Sequence, residues 1–262
     1  MNQLYNKFLT FGPFKINNMN RDSELINLLQ SGSLRAIIFD FDGTLLDIRE
    51  ILEKAIEEIL VEKNLNIDME TTIQEIGALL ETIQGYPLPK VLLESYEIFN
   101  HITAINGLTY FKKLRIAVKI FAKYLEYAKE ASFFPSVKPL LKKFKKHHDL
   151  FIVSHNKTET ILDHLEKEGF KDDFFKGIFG SDKIPVQKPD PMALQPAFEV
   201  YNKRRRDEFI MIGDMPSDII AGQEAGFWTI GVASGVSKRE ILANYKPDLL
   251  IDSLEDLINF ID

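Results

Sequence analysis

Two periods of apolar residues alternate along the chain. Ala36, Ile37, Ile38 and Phe39 form a short continuous run, the pattern of a strand buried on both faces. Similar short runs recur at 150–153, 177–180, 208–212, 228–232 and 248–251. Between them the apolar positions fall at helical spacing: over 138–146, through Ile161, Leu162 and Leu165, after Pro191, over 217–224, and beyond the last strand. Short apolar strands alternating with helices predict an α/β fold built on a doubly wound, Rossmann-like parallel sheet.

One stretch breaks the alternation. Asp47 is placed to cap a helix that starts near Ile48, and Ile51, Leu52, Ala55, Ile59 and Leu60 continue it with charged residues between them. From there to about residue 131 no strand pattern appears. Residues 70–84, 88–100 and 107–130 read as helix, punctuated by Gly85, Pro87, Pro89 and Gly107. The expected organisation is an N-terminal arm over 1–33, an α/β core over 34–47 and 132–262, and an inserted all-helical domain over 48–131. Within the arm, Ser23 followed by Leu25, Ile26, Leu28 and Leu29 predicts a short capped helix, and Ser31-Gly32-Ser33 a linker. Phe99, Tyr110, Phe111, Phe121 and Tyr124 read as core of the helical insertion.

Composition narrows the class of function. The 262 residues are 45% hydrophobic, enough to bury a sizeable core, and the net charge of −7 argues against a general nucleic-acid binder. Lys142, Lys143, Lys145 and Lys146 read as a solvated helix face. With no cysteine, disulfides and thiol catalysis are excluded. No apolar run approaches the ~18 residues needed to span a bilayer. Lys7 is followed by no uninterrupted apolar stretch of the secretory kind. The expectation is a cytoplasmic protein without membrane or nucleic-acid partners.

In sheets of this kind ligands bind beyond the carboxyl ends of the strands, and the polar residues there form a set. The first strand delivers Asp40 and Asp42. In extended backbone these two point the same way, and Gly43 then lets the chain turn. Two acids so close require a cation or a proton between them. The strand at 150–153 delivers Ser154, His155 and Asn156; the segment after 177–180 reaches Lys188-Pro189; the strand at 208–212 delivers Gly213-Asp214, with Asp218 four residues on. Clustered carboxylates without cysteine or a helical histidine pair favour a hard dication, Mg²⁺ before zinc. A carboxylate can act as a nucleophile and form an acyl phosphate. Lys188 and Ser154 would meet the phosphoryl oxygens, and a second acid beside the nucleophile would protonate the leaving oxygen and then activate water.

Asp40-Phe41-Asp42-Gly43-Thr44-Leu45, Ser154, Lys188-Pro189 and Gly213-Asp214-x-x-x-Asp218 resemble, in order, the four motifs of the haloacid dehalogenase-like phosphohydrolases. The resemblance spans about residues 35–262. Phe134-Pro135-Ser136-Val137, Lys188-Pro189-Asp190-Pro191 and Ala225-Gly226-Phe227 are similar to the phosphoglycolate phosphatase-like branch, and the helical insertion is similar to that branch's α-helical cap. The resemblance implies that Asp40 attacks phosphorus and binds Mg²⁺. It implies that Asp42 is the general acid/base and offers its main-chain carbonyl to the metal. Asp214 is then a metal ligand, and Asp218 holds metal-bound water or orients Lys188. Ser154 and Lys188 would hold the phosphoryl group, with Phe41, Gly43, Thr44, His155 and Asn156 lining it. Three positions depart from the branch: His155 stands where Asn is common, with Asn156 next, Ser136 where Gly is usual, and Ile48 where Ser is common. His155 reads as a loop-shaping residue.

The implied cap would close over the phosphate site and exclude water. Residues 85–90 are the candidate specificity loop, and Lys90, Lys112, Lys113 and Arg115 are candidate contacts for an anionic substrate. The implied activity is Mg²⁺-dependent hydrolysis of a small organic phosphomonoester. A phosphosugar mutase of the same fold and a catalytically silent ligand-binding or scaffold protein are the alternatives. A dehalogenase is disfavoured because that chemistry needs no acid two residues after the nucleophile, and Asp42 is present.

Overall fold

The computed structural model describes residues 21–61, 68, 69, 71–73, 75, 105, 107–171, 173–201 and 205–260. Six strands form one sheet: β1 (Ala36–Phe39), β2 (Asp149–Val153), β3 (Gly177–Phe179), β4 (Phe209–Gly213), β5 (Trp228–Val232) and β6 (Leu249–Ile251). Their spatial order is β3-β2-β1-β4-β5-β6, and every pairing is parallel. Ile38 lies between Phe151 and Met211, and Phe39 between Ile152 and Ile212.

Alternate residues of the central strands enter two different apolar clusters. Ile37, Phe39, Ile152 and Ile212 face one side of the sheet, and Ala36, Ile38, Phe151 and Met211 the other. Both faces are therefore covered, which is why these strands are apolar throughout instead of alternating. The helices of the described residues are α1 (Arg21–Gln30), α2 (Arg49–Val61), α3 (Tyr110–Ala128), α4 (Val137–Phe144), α5 (Thr158–Lys167), α6 (Gln195–Glu199), α7 (Pro216–Ala225), α8 (Arg239–Asn244) and α9 (Glu255–Phe260). The segment after Pro191 is not one helix: a 3-10 turn over Pro191–Leu194 precedes α6, and Pro196 takes an early position in the new helix where no N–H is needed.

Helix α1 buries Leu25 and Leu29 completely. At its start Arg21 pairs with Asp248 at 2.5 Å and lies over the Trp228 ring. Ser23, expected as a cap, sits inside this helix. The expected helix at 88–100 and most of that at 70–84 lie outside the described residues, as do Phe99, Lys90 and the stretch 85–90.

Helices α2 and α3 pack against each other. The Tyr127 hydroxyl donates to Glu58, Lys123 pairs with Glu58 at 3.0 Å, and Lys54 lies over the Tyr127 ring. The two connections that join this pair to the sheet run side by side: Asp47 N–H donates to Ser132 O at 2.9 Å and Phe134 N–H to Leu45 O at 3.1 Å. On α3 the buried line is Lys113, Ile116, Ile120 and Tyr124. Phe111, grouped with the core from sequence, is 79% exposed. It shares a side with Val118 and Leu125, which follow at seven-residue steps and are also exposed.

Candidate active site

β1 and β4 are neighbours in the sheet although β2 and β3 intervene in sequence. The order reverses here, and a crevice opens at the carboxyl ends of such strands. Asp40 follows β1 and donates its backbone N–H to Ile212 O at 2.9 Å. Asp214 follows β4. The chain then turns at Gly43, whose φ is +81°; a Cβ there would lie 2.3 Å from Asp214 Oδ2. Glycine is required twice over at this position, by its backbone conformation and by the approach of the carboxylate.

Four side chains from three segments meet in the crevice, and all are buried: Asp40 is 6% exposed, Lys188 5%, Asp218 1% and Asp214 not at all. Lys188 Nζ donates to Asp40 Oδ1 at 2.6 Å and to Asp218 Oδ1 at 2.5 Å. Asp218 Oδ2 accepts from the Met215 N–H at 3.0 Å, which closes the first turn of α7. Asp214 is held on both oxygens, by Thr44 Oγ1 at 3.0 Å and by the Val236 N–H at 2.7 Å.

Asp40, Asp214 and Asp218 each present an oxygen within 4.8 Å of the others. Three carboxylates against one ammonium leave two negative charges unbalanced, the charge of one divalent cation. Burial is the main influence on the protonation of these carboxyls, and their mutual charges add to it. Burial pushes Asp40 well above the usual carboxylate range, against the pull of Lys188. Burial, with the Asp218 charge, raises Asp214 to about 7. Burial would lower Lys188, but Asp218 and Asp40 outweigh it and hold the ammonium charged. An all-oxygen donor set with this charge suits a hard cation such as Mg²⁺.

Asp42 is half-buried and its carboxylate is not in that trio. Its Oδ1 accepts from Asn156 Nδ2 at 3.3 Å. Asn156 N–H donates to Ser154 Oγ at 3.0 Å, and Ser154 N–H to Phe179 O at 3.0 Å. The loop after β2 therefore faces the loop after β1, with Ser154 and His155 both buried. Gly43 and Thr44, expected beside the phosphoryl group, use polar groups within the protein: the Gly43 N–H donates to Leu46 O and the Thr44 hydroxyl to Asp214. The Phe41 ring is fully buried against Phe133 and His164, so only its backbone can face the crevice.

The sequence profile of the haloacid dehalogenase-like hydrolases matches residues 37–232, which contain every residue of this constellation except Val236. The chain belongs to the haloacid dehalogenase-like hydrolases. It is 28% identical over 236 residues to the pyrophosphatase PpaX of Listeria welshimeri, covering 87% of this chain and 96% of that protein. It is 27% identical over 233 residues to the phosphoglycolate phosphatase of Vibrio cholerae, covering 87% and 97%. The fold is that of a haloacid dehalogenase-like hydrolase from Streptococcus pneumoniae, with a TM-score of 0.61 at 24% identity over 87% of this chain and 99% of that one. It is equally that of the hydrolase YfnB from Bacillus subtilis, solved bound to magnesium, with a TM-score of 0.62 at 21% identity over 87% and 98%.

Two supports of this hydrolase's site escaped the sequence. The loop after β5 reaches Asp214 through the Val236 N–H, and a Cβ on Gly235 would lie 2.1 Å from Asp214 Oδ2 and 2.4 Å from Gly43 O. Its one signal is a Ser-Gly pair just past a strand end. The loop of Asn156 is braced from behind: Asp182 Oδ1 accepts the Thr158 N–H at 2.7 Å, and the Ser181 N–H donates to Asn156 O at 2.8 Å.

Proposed function

We propose that this hydrolase is a Mg²⁺-dependent phosphatase that cleaves a small organic phosphomonoester through a phosphorylated Asp40. The observation that carries this reading is the buried Lys188 ammonium bridging Asp40 and Asp218 beside Asp214. A carboxylate nucleophile, a phosphate-binding cation and an excess of two negative charges stand within one crevice.

In the first step an Asp40 oxygen bonds to phosphorus while the bond from phosphorus to the ester oxygen breaks. The Asp42 carboxyl gives its proton to the departing oxygen. In the second step the Asp42 carboxylate takes a proton from water, the water oxygen bonds to phosphorus, and the Asp40–phosphorus bond breaks to release inorganic phosphate. Asn156 orients Asp42 through the bond to its Oδ1. Lys188 and Ser154 hold the phosphoryl oxygens, with Asp218 keeping Lys188 in place. Asp40, Asp214 and the Asp42 main-chain carbonyl would hold Mg²⁺, which when bound supplies charge neutralisation at the phosphoryl group.

Residues 34–47 and 132–262 form the core in this reading, 48–131 a cap that closes over the crevice, and 1–33 an arm whose helix α1 packs on the core. The proposed setting is the cytoplasm; no helix among the described residues is long and apolar enough to cross a membrane. The similarity to relatives named pyrophosphatase and phosphoglycolate phosphatase supports a small substrate.

The test is phosphate release from an aryl phosphate, 2-phosphoglycolate, inorganic pyrophosphate and a set of sugar phosphates, with Mg²⁺ and with chelator. Expected are Mg²⁺-dependent release without sugar-phosphate isomer exchange, and its loss in Asp40→Asn. Isomer exchange without phosphate release would indicate a mutase, and no turnover on any of them a binding protein.

A further inference from the structure

Strand β6 lies at the edge of the sheet, bonded to β5 on one side alone. An open edge invites pairing with other chains unless something covers it. A groove of about 330 Å³ lies at this edge, lined by β6, Arg239 of α8 and one side of α9. Leu249, Leu250, Ile251 and Phe260 give it apolar walls, and Asp252, Asp256 and Asn259 a polar rim. The Arg239 guanidinium meets Asp252 at 2.7 Å and donates to the Leu250 carbonyl at 3.2 Å. With that carbonyl taken, a segment lying here is held by its side chains and not as a seventh strand. The Arg239–Asp252 pair is neutral, so Asp256 leaves the groove negative, with Glu255 beside it in the first turn of α9.

The chain itself arrives next to this groove. Arg21, the first residue of α1, pairs with Asp248 at 2.5 Å, and Asp248 immediately precedes Leu249. Arg21 also covers the Trp228 ring at 4.9 Å, and α1 packs on both β6 and α9. The point from which residues 1–20 depart is thereby fixed beside the groove. Their composition suits it: Phe8, Phe11 and Phe14 are apolar, Lys7 and Lys15 are basic, and no acid is present. Phe14 stands seven residues before Arg21, a reach of at most about 25 Å in extended chain, and Phe11 ten, at most about 36 Å. The three residues of β6 span only about 10 Å, so both rings can reach the whole groove. The tether at Arg21 also keeps the segment at high local concentration there.

We propose that residues 1–20 of the same chain dock in this groove, with Phe11 and Phe14 against its apolar walls and Lys15 beside Asp256. The docked arm seals the open edge of β6. This assignment involves neither Asp40 nor Mg²⁺ and is independent of what the crevice hydrolyses.

The chain has no cysteine, so two introduced cysteines can be linked only to each other. The test treats two full-length variants, Thr10→Cys/Asn259→Cys and Thr10→Cys/Asp207→Cys, with a short bismaleimide. Asn259 lines the groove. Asp207 is exposed and outside it, yet its carbonyl accepts the Trp228 indole N–H at 3.0 Å, which places it close to Arg21 as well. Expected is linking within one chain, faster by about tenfold or more for the Asn259 pair. Equal rates overturn the docking. Linked dimers give the groove to the arm of a second copy and overturn it too. Cleavage after Lys7 and Lys15 by a lysine-specific protease is the second measurement. It follows the population of undocked arm, so Phe11→Ser/Phe14→Ser and Asn259→Lys are each expected to speed it by about tenfold. Circular dichroism of both variants is expected to match the unmodified chain, which separates undocking from unfolding. Cleavage unchanged in both variants overturns the assignment.

Discussion

The Thr44 hydroxyl donates to Asp214 Oδ1 at 3.0 Å across 170 residues of sequence, with both side chains fully buried. This one bond ties the loop after β1 to the loop after β4. Together with the Val236 N–H on the other oxygen it leaves Asp214 no rotational freedom. Thr44→Val keeps the shape and removes the donor. Outer partners of this kind change metal affinity by about 10–100-fold, so the Mg²⁺ concentration for half-maximal activity is expected to rise by that factor. The rise in melting temperature on adding Mg²⁺ is expected to shrink in parallel, and Thr44→Ser is expected to restore both. An unchanged Mg²⁺ titration would assign the hydroxyl to folding alone.

Lys188 is the sole cation that the described residues place against Asp40 and Asp218. Lys188→Met leaves buried carboxylates without their partner, a loss of about 3–5 kcal/mol in comparable pairs. Denaturant unfolding in chelator is expected to show that loss. Adding Asp218→Asn to Lys188→Met is expected to recover part of it, since one of the stranded charges is then gone. Activity is expected to stay lost in both variants. Recovery of stability with activity still absent separates the ammonium's structural role from its hold on phosphate.

Asp182 acts from outside the crevice. Its side chain accepts the first N–H of α5, whose own preceding residue, Lys157, offers no side-chain cap. That acceptance also lowers the Asp182 carboxyl below its ordinary range. Asp182→Ala is expected to destabilise by about 0.5–2 kcal/mol, the usual cost of a lost cap. The same change loosens the loop that aims Asn156 at Asp42, so kcat is expected to drop more than KM rises. Asp182→Asn keeps an acceptor and is expected to retain most of both. Steady-state kinetics beside chemical unfolding of the three proteins decides whether the two effects travel together.

The sequence was most readable where a side chain does the work at a strand end. Asp40 and Asp214 each follow a short apolar run, Lys188 and Asp218 lie in the segments beyond two such runs, and these four side chains meet because parallel strands deliver their carboxyl ends to one rim. What stayed hidden was made by backbone and by distance. Val236 reaches Asp214 through an N–H that almost any residue offers. Gly235 and Asp182 matter only for what another loop places beside them. Thr44 lay inside the first motif and Asp214 inside the last, but nothing in the pattern paired them across 170 residues. The seven-residue recurrence of Phe111, Val118 and Leu125 belongs to the side of α3 away from its buried line, which shows that apolar spacing marks a face without saying what it faces.

His148 supplies a pH dependence remote from the site. Its Nδ1 lies 2.8 Å from Leu34 O, so that nitrogen carries the proton it donates, and the ring packs on Phe144 with 4% of the residue exposed. Burial pushes its pKa below the ordinary histidine value, and the bond to Leu34 opposes this only in part. Below about pH 6.5 the unfolded chain therefore binds a proton that the folded chain resists. Stability rises with pH wherever the unfolded state holds more protons, so this residue's contribution is lost as pH falls from 6.5 towards its folded pKa. Asp40 and Asp214 act in the opposite sense without metal, because their raised carboxyls gain protons on folding. The comparison must therefore be made against a variant and in saturating Mg²⁺. His148→Asn keeps a donor for Leu34 O and removes the titration. Urea midpoints at pH 7.5 and 5.5 are expected to fall further for the unmodified chain than for His148→Asn, and equal falls would show that His148 does not set the acid limb.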